Sequence, residues 1–118
     1  ALETVKKMTE NFGTNPENVV AAIGPSIGKC CFQVDMPVVS EFMDKIENAQ
    51  RFIEKDTEEG KFKIDLWGVN AFLMEKAGIL KENIEITNLC TMCNPELFYS
   101  HRVMGNARGS MVAVMELI

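Results

Sequence analysis

The stretch DLWGVNAFLMEKAG, Asp65–Gly78, contains the signals for the start, body and end of one helix. Asp65 is a residue type that accepts hydrogen bonds from the first backbone N–H groups of a helix. Apolar side chains then recur at spacings of three and four residues, at Leu66, Val69, Leu73 and Ala77. Trp67 and Phe72 widen this apolar stripe, and Gly78 is suited to ending the helix. The stretch therefore predicts a well-covered amphipathic helix.

Two more helices are predicted on the N-terminal side of this stretch. The first begins at Ala1, has no capping residue before it and ends at Gly13. Its apolar face consists of Leu2, Val5, Met8 and Phe12. Pro37 fits the first turn of the second helix. The apolar side of that helix consists of Val39, Phe42, Met43 and Ile46.

Short apolar or alternating runs predict four strands. They lie at residues 19–23, 30–34, 84–89 and 110–118. The charge-rich residues 54–61 are predicted to be a solvated loop, or a helix end followed by a loop. The order of helices and strands does not alternate regularly enough for a doubly wound parallel sheet. We therefore predict a single α+β domain, residues 1–118, with helices packed on a mixed sheet.

Composition limits the classes of function. The chain has 118 residues, 47% of them hydrophobic, and a net charge of −5, which argues against binding to a nucleic-acid backbone. No apolar run is long enough to span a membrane. Of the four cysteines, Cys30 and Cys31 are adjacent, and the chain is long enough to form a core without disulfides. Reduced thiols in a cytoplasmic protein are the prediction.

The loop GPSIGK, Gly24–Lys29, has two glycines four residues apart with a proline between them. Such a loop indicates that the backbone passes close to another segment or to a ligand. It lacks the Gly-Lys-Ser/Thr ending of a nucleotide-binding P-loop.

The stretch CTMCNPELFYSHR, residues 90–102, allows three kinds of site. Cys90, Cys93 and His101 with one more cysteine could bind a metal, the two cysteines could be a redox pair, or His101 could activate a thiol. If Cys30 and Cys31 lie in a strand, their side chains point to opposite faces and cannot share one ion. Copper oxidase chemistry requires many imidazoles, and the chain has one histidine. We expect Cys90, Cys93 and His101 to be loop residues that bind no metal.

Four stretches taken together indicate a family. In order they are AAIGPSIGKCCFQV, IDLWGVNAFLMEKAGI, LCTMCNPELFYSHR and RGSMVAV. In this order and spacing the chain resembles the C-terminal half of the YfiH-type laccase-domain family, which is often labelled multicopper polyphenol oxidase. The resemblance covers essentially the whole chain. It implies a compact α+β fold and a zinc-dependent enzyme that cleaves purine nucleosides with phosphate and deaminates adenosine.

The same resemblance implies that the zinc ligands lie elsewhere. The family binds zinc through two histidines and one cysteine in Q-V-H-G, D-C-L-P and H-A-G-W-R-G segments, none of which occurs here. The chain is therefore predicted to be a fragment without the N-terminal half, inactive and free of zinc by itself. Ser100 and Arg102 are the candidate pocket residues. The family often has Tyr where His101 stands and a second Arg where Val103 stands.

Three hypotheses follow. The chain is part of a purine nucleoside phosphorylase whose substrates are a nucleoside and phosphate, or it is an assembly module, or it has an independent thiol site at Cys90 and Cys93. A laccase-like oxidoreductase is the further alternative that the family label suggests. Self-association, or pairing with an N-terminal half, is expected because such a half would cover apolar surface.

Overall fold

The computed structural model describes residues 1–116 of the chain. Within this range there are four α-helices and five short strands. The helices are α1 (Leu2–Phe12), α2 (Met36–Lys45), α3 (Leu66–Lys76) and α4 (His101–Met104). The strands are β1 (Ala21–Ile23), β2 (Gln33–Asp35), β3 (Ile53–Lys55), β4 (Lys61–Ile64) and β5 (Ile84–Ile86). The predicted α+β class is confirmed.

The strands form two small sheets, one parallel and one antiparallel. In the first sheet β1 pairs in parallel with β5, so that Ala21 lies opposite Ile84 and Ile23 opposite Ile86. In the second sheet β2, β4 and β3 lie side by side in that order, and both pairs are antiparallel. Parallel and antiparallel pairing are thus both present, but they are divided between two sheets.

Helix α3 lies between the two sheets along the chain and begins as predicted. The Oδ1 atom of Asp65 accepts a hydrogen bond from the backbone N–H of Gly68 at 3.0 Å. A Cβ atom on Gly68 would lie 2.7 Å from the other Asp65 carboxylate oxygen, so a glycine allows the cap to close over the first turn. The helix contacts α1, β1 and β5. It therefore joins the parallel sheet to the N-terminal helix.

The main hydrophobic core lies under the antiparallel sheet. Its buried members are Val34, Val39, Phe52, Ile64 and Val69. They come from β2, α2, the turn before β3, β4 and α3, so each of these elements buries one side chain at the same place. Ile64 has no exposed surface at all. Burial of apolar surface at this point holds the sheet and two helices together.

The predicted ends of the first two helices are close to those observed. Gly13 follows α1 with φ 63° and donates its backbone N–H to the Thr9 carbonyl. Pro37 lies in the first turn of α2. Ile46, which was predicted on the apolar side of α2, follows the helix as its C-terminal capping residue. None of the helices in residues 1–116 has the length and apolar character that a membrane crossing requires.

The prediction of a loop at residues 54–61 is wrong at both ends. Glu54 and Lys55 belong to β3, and Lys61 begins β4, so that the segment is a hairpin with its turn at residues 56–60. Asp56 stabilises this turn because its carboxylate accepts hydrogen bonds from Gln33 and from the backbone N–H of Thr57. These hydrogen bonds lower the pKa of the Asp56 carboxyl. Glu54, Lys61 and Lys63 lie on the face of the hairpin opposite the buried Ile64.

The prediction of a closing strand at residues 110–118 is wrong for residues 110–116, the part that the structure describes. Residues 110–116 form no strand, and the last two residues of the prediction lie outside the described part. Val112 and Val114 are 86% and 90% exposed. The alternating pattern is present in the sequence. However, a strand also requires a neighbouring backbone with free N–H and C=O groups. No strand of residues 1–116 pairs with this segment.

We predict that Val34→Ala lowers the free energy of unfolding by about 2 kcal/mol, because it removes two methyl groups from a closely packed core. Val34 lies in the centre of β2 and is 8% exposed. The matched control is Val112→Ala, which removes the same groups from an exposed site and should change stability by less than about 0.5 kcal/mol. Urea denaturation of the purified chain measures both. Equal costs for the two variants would contradict this assignment of the core.

Candidate functional site

The parallel pairing of β1 and β5 continues into the loops that follow these strands. Ser26 and Cys90 form a parallel bridge. The backbone N–H of Ser26 donates to the Leu89 carbonyl at 3.2 Å, and Thr91 donates to the Ser26 carbonyl at 3.1 Å. This places the loop Gly24–Lys29 beside residues 89–91. Two segments more than 60 residues apart in the chain therefore meet along a short backbone ladder.

Trp67 holds the same loop from the side of α3. Its indole N–H donates to the Ser26 hydroxyl at 2.6 Å. A Cβ atom on Gly28 would lie 2.9 Å from the Trp67 ring, and the backbone N–H of Gly28 donates to the Cys90 Sγ atom at 3.2 Å. The predicted close approach of backbone in this loop is confirmed at Gly28. At Gly24 a Cβ atom would meet nothing within 4 Å.

All four cysteines converge beside this loop. The Sγ atoms of Cys30, Cys31, Cys90 and Cys93 all lie within 4.8 Å of one another. The Sγ atom of Cys93 is 3.6 Å from that of Cys30 and 3.4 Å from that of Cys31. All four are free thiols. The cluster is thus built from two loops, and each loop contributes two sulfur atoms.

The argument that Cys30 and Cys31 cannot face the same ion is wrong. It assumed that both residues lie in a strand, whereas they lie in a turn and β2 begins only at Gln33. The backbone N–H of Cys31 donates to the Gly28 carbonyl, which closes this turn. In a turn, neighbouring side chains are not forced to opposite faces. Both thiols consequently point toward Cys93.

The environment of the thiols differs within the cluster. Burial alone would raise the pKa of Cys90, but hydrogen bonds from the backbone N–H groups of Gly28, Cys93 and Met92 and from the Cys30 thiol lower it to about 6. Burial, and then a hydrogen bond with Cys93, raises the pKa of Cys30 and of Cys31. Cys90 is buried, while Cys30 and Cys93 are exposed. The cluster is therefore open to solvent on one side.

A cavity of about 270 Å³ lies next to the cluster. One wall consists of Ile27, Phe32 and Thr91, which come from the two cysteine-bearing loops. The other wall is the segment 99–102, which leads into α4. The structure thus brings the candidate pocket residues Ser100 and Arg102 to one cavity. Ser100 is 4% exposed and Arg102 lies at the surface.

Arg102 makes two contacts at the rim of this cavity. Its Nη1 atom donates to the Gln33 carbonyl at 3.1 Å, and its guanidinium carbon lies 5.4 Å from the centre of the Phe32 ring. These contacts use only one of the five N–H groups of a guanidinium. Among residues 1–116 the ion pairs involve lysines alone, so no carboxylate of that range lies within 4.0 Å of Arg102. The remaining donors can bind an anion.

His101 lines this cavity and also contacts a second basic side chain, Arg108. The Nε atom of Arg108 donates to the His101 Nδ1 atom at 3.3 Å. His101 and Arg108 line a further cavity of about 310 Å³ together with Tyr99. The sequence alone predicts only pairing with a carboxylate or a position on a solvated face for Arg108. In the structure its partner is the only histidine of the chain.

The described residues do not fit the zinc site that the resemblance implies. That site uses two histidines and one cysteine, whereas this chain has one histidine, whose Nδ1 atom accepts a hydrogen bond from Arg108. His101 is also not part of the group of side chains in residues 1–116 whose ligand atoms lie close enough to share an ion. The chain by itself supplies no two-histidine set for a catalytic metal.

These features define an α+β protein segment in which a thiol cluster lies beside a cavity with an arginine at its rim. Over residues 1–118 the chain matches the family described as multi-copper polyphenol oxidoreductase laccase, and it belongs to that family. The predicted resemblance to the laccase-domain family is confirmed.

Named relatives and a solved structure agree with this family. The chain is 33% identical over 111 residues to purine nucleoside phosphorylase YlmD of Bacillus subtilis, covering 94% of this chain and 40% of the relative. It is 32% identical to adenosine deaminase RL5 of an unknown prokaryotic organism, covering 79% of this chain and 36% of that protein. The crystal structure of the hypothetical protein YfiH of Bacillus licheniformis matches with a TM-score of 0.79 and 34% identity. That match covers 86% of this chain and 38% of the other. The chain thus spans about two fifths of the length of these proteins.

We predict that Gly28→Ala disturbs the junction of the two loops, because the added methyl group must displace the Trp67 ring. The expected cost is about 1–3 kcal/mol of stability, as for overpacking of a dense interior. Trp67 is the only tryptophan, so the fluorescence of the folded chain should also change. Gly24→Ala is the matched control and should retain the wild-type emission, since nothing lies within 4 Å of its Cβ position. Identical emission and stability for the two variants would contradict the close contact between Gly28 and Trp67.

Proposed function

We propose that this chain is the C-terminal portion of a zinc-dependent purine nucleoside phosphorylase that also deaminates adenosine. Two observations support the proposal. The chain belongs to a family whose members include proteins named purine nucleoside phosphorylase and adenosine deaminase. It also places an arginine without a carboxylate partner in residues 1–116 at the rim of a cavity.

Arg102 is the observation that carries the proposal. A planar guanidinium matches the oxygens of phosphate and can donate two hydrogen bonds to them at once. Here the guanidinium contacts Phe32 and the Gln33 carbonyl, and these contacts reduce the side-chain freedom that is lost when it binds an anion. The net charge of the chain is −5, so a cation at this place is not part of a generally basic surface. We assign Arg102 to the inorganic phosphate that attacks the nucleoside.

Ser100 has a supporting role in this proposal. It is almost fully buried and lines the same cavity as Arg102, two residues away. A hydroxyl can both donate and accept a hydrogen bond, which suits either a phosphate oxygen or a ribose hydroxyl. The cavity of about 270 Å³ is below the size of most ligand pockets, which is about 300–1,000 Å³. The nucleoside site is therefore proposed to be completed by residues outside this chain.

We likewise propose that the ligands of the catalytic zinc lie outside residues 1–116. When bound, such a zinc ion would provide Lewis-acid chemistry, including activation of water for deamination. The chain contributes the binding and orientation of phosphate. A copper oxidoreductase, which the family description names, is less well supported because copper oxidase chemistry requires several imidazoles and this chain has one histidine.

The surface of the chain supports pairing with a further segment or chain. A compact monomer of this mass exposes about 6,400 Å², whereas this chain exposes 8222 Å². Its radius of gyration is 16.0 Å, compared with about 13.5 Å for a compact domain of this length. Apolar side chains of the C-terminal region are strongly exposed: Leu97, Tyr99, Val103, Met111, Val112, Val114 and Met115. A partner that covers this region would also complete the neighbouring cavity.

We predict that Arg102→Lys raises KM for phosphate about tenfold in the full-length protein containing residues 1–118. The reason is that lysine keeps the charge but cannot donate two parallel hydrogen bonds from a plane. Phosphorolysis of inosine, followed by release of hypoxanthine, measures this effect. KM for inosine should change less than KM for phosphate.

The matched control is Arg51→Lys, because Arg51 stacks on Phe52 and Phe72 and does not line the cavity. This variant should retain the wild-type KM for phosphate. The 118-residue chain alone should be inactive with inosine and phosphate or with adenosine, even with added zinc. Full activity of the chain alone, or an unchanged KM for phosphate in Arg102→Lys, would contradict the proposal.

We also predict that the purified chain does not remain a simple monomer. Exposed apolar side chains at its C-terminal region should cause self-association, or retention of an N-terminal piece when the two are expressed together. Light scattering coupled to size exclusion measures the mass directly. A uniform 13.2 kDa species that binds no hydrophobic dye would argue against a missing partner.

A further inference from the structure

We propose that Cys30, Cys31, Cys90 and Cys93 bind one zinc ion in a closed, structural site that is separate from the catalytic zinc. The proposal requires only the four thiols of this chain, and it replaces the expectation from the sequence that Cys90 and Cys93 bind no metal. It stands whether or not the proposed phosphorylase activity is correct.

The spacing of the sulfur atoms fits a tetrahedral ion. Zinc binds thiolate sulfur at about 2.3 Å, so the sulfurs of a tetrahedral site are about 3.8 Å apart. Cys93 Sγ lies 3.4 Å from Cys31 Sγ and 3.6 Å from Cys30 Sγ, and all four sulfurs lie within 4.8 Å of one another. An ion at the centre of the group would need only small movements of the side chains. Four soft sulfur ligands in tetrahedral arrangement favour zinc over magnesium or calcium.

Packing alone does not explain the cluster. A free cysteine with no special role is commonly a small buried hydrophobic residue. That description fits Cys90, but Cys30 and Cys93 are exposed and still lie against the other two. Two exposed thiols that converge on a half-buried thiol and a buried one are what a site filled from solvent requires. The exposed side also gives the ion a path of entry.

Both loops are held by hydrogen bonds other than the contacts between the thiols. The turn of Cys30 and Cys31 is closed by hydrogen bonds to the Gly28 carbonyl. In the other loop, the Asn94 side chain donates to the Cys90 carbonyl at 2.8 Å. The backbone N–H of Gly28 donates to the Cys90 sulfur, a contact that orients and stabilises a metal-bound thiolate. The ligands are thus held in place before the ion binds.

The composition of the site assigns its role. Four cysteines fill all four positions of a tetrahedral zinc ion, which leaves none for water or substrate, and such sites are structural. The ion would join the loop that bears Ile27 and Phe32 to the loop that bears Thr91. These residues form one wall of the cavity at Arg102. Zinc at this site would therefore stiffen the wall without touching the substrate.

Metal content of the purified chain tests the proposal. The chain is reduced, reconstituted with zinc and freed of excess metal, and its zinc is then measured by mass spectrometry. We expect about one zinc ion per chain, as a four-cysteine site requires. Cys31→Ser and Cys93→Ser should each lose this zinc, whereas the control His101→Ala should retain it. Retention by both cysteine variants, or loss from His101→Ala, would overturn the assignment of ligands.

A second measurement avoids variants that fail to fold. Cobalt added to the wild-type chain should produce the intense visible bands of tetrahedral coordination and the charge-transfer bands of thiolate ligation, and zinc should displace it. Bound zinc should also protect all four thiols from alkylation, and a chelator should remove this protection. Retention of no zinc, retention of iron alone, or rapid conversion of the zinc-treated thiols to disulfides would each overturn the proposal.

Discussion

The parallel pairing of β1 with β5, extended by Ser26 and Cys90, is the constraint on which the site depends. Parallel strands cannot be joined by a tight turn, so the chain between them must make a long crossover. Here the crossover contains the antiparallel sheet and helix α3. When it returns, α3 places Trp67 against the first loop, and β5 delivers Cys90 to the same loop. Loss of this pairing would separate the cysteine pairs and both walls of the cavity.

Local signals in the sequence predicted α1, α2 and α3 well, because the causes of helix formation act over a few residues, but the short helix α4 was not predicted. Asp65 caps α3, and Gly13 ends α1 in a left-handed conformation. The hairpin of β3 and β4 was missed because its charged residues dominate residues 54–61. The alternation of Lys61, Phe62, Lys63 and Ile64 was an available signal, since Ile64 is fully buried on the inner face. The segment 110–116 shows the reverse case, in which an alternating pattern has no strand beside it.

The candidate site was harder to predict than the fold, because it is formed by contacts between distant segments. Ser100 and Arg102 were identified through the resemblance, and the structure places both at one cavity. The convergence of four thiols could not be derived from the spacing of Cys30, Cys31, Cys90 and Cys93, which matches no regular zinc motif. It depends on whether residues 29–31 form a strand or a turn. In a strand, Cys30 and Cys31 would point to opposite faces, whereas in the observed turn both thiols point toward Cys93 and complete the cluster of four.

The cysteine cluster and Arg102 are connected by a short stretch of backbone. Cys31 is followed by Phe32 and Gln33, the two residues that hold the Arg102 guanidinium. The backbone N–H of Gln33 donates to the Cys31 carbonyl at 2.9 Å, so the stretch has little freedom of its own. An ion bound by the thiols would fix the start of this stretch, while β2 fixes its end by pairing with β4. If Arg102 binds phosphate as proposed, its affinity for phosphate depends on how well the guanidinium is positioned, so that a metal at the thiols would influence phosphate binding without contacting the phosphate.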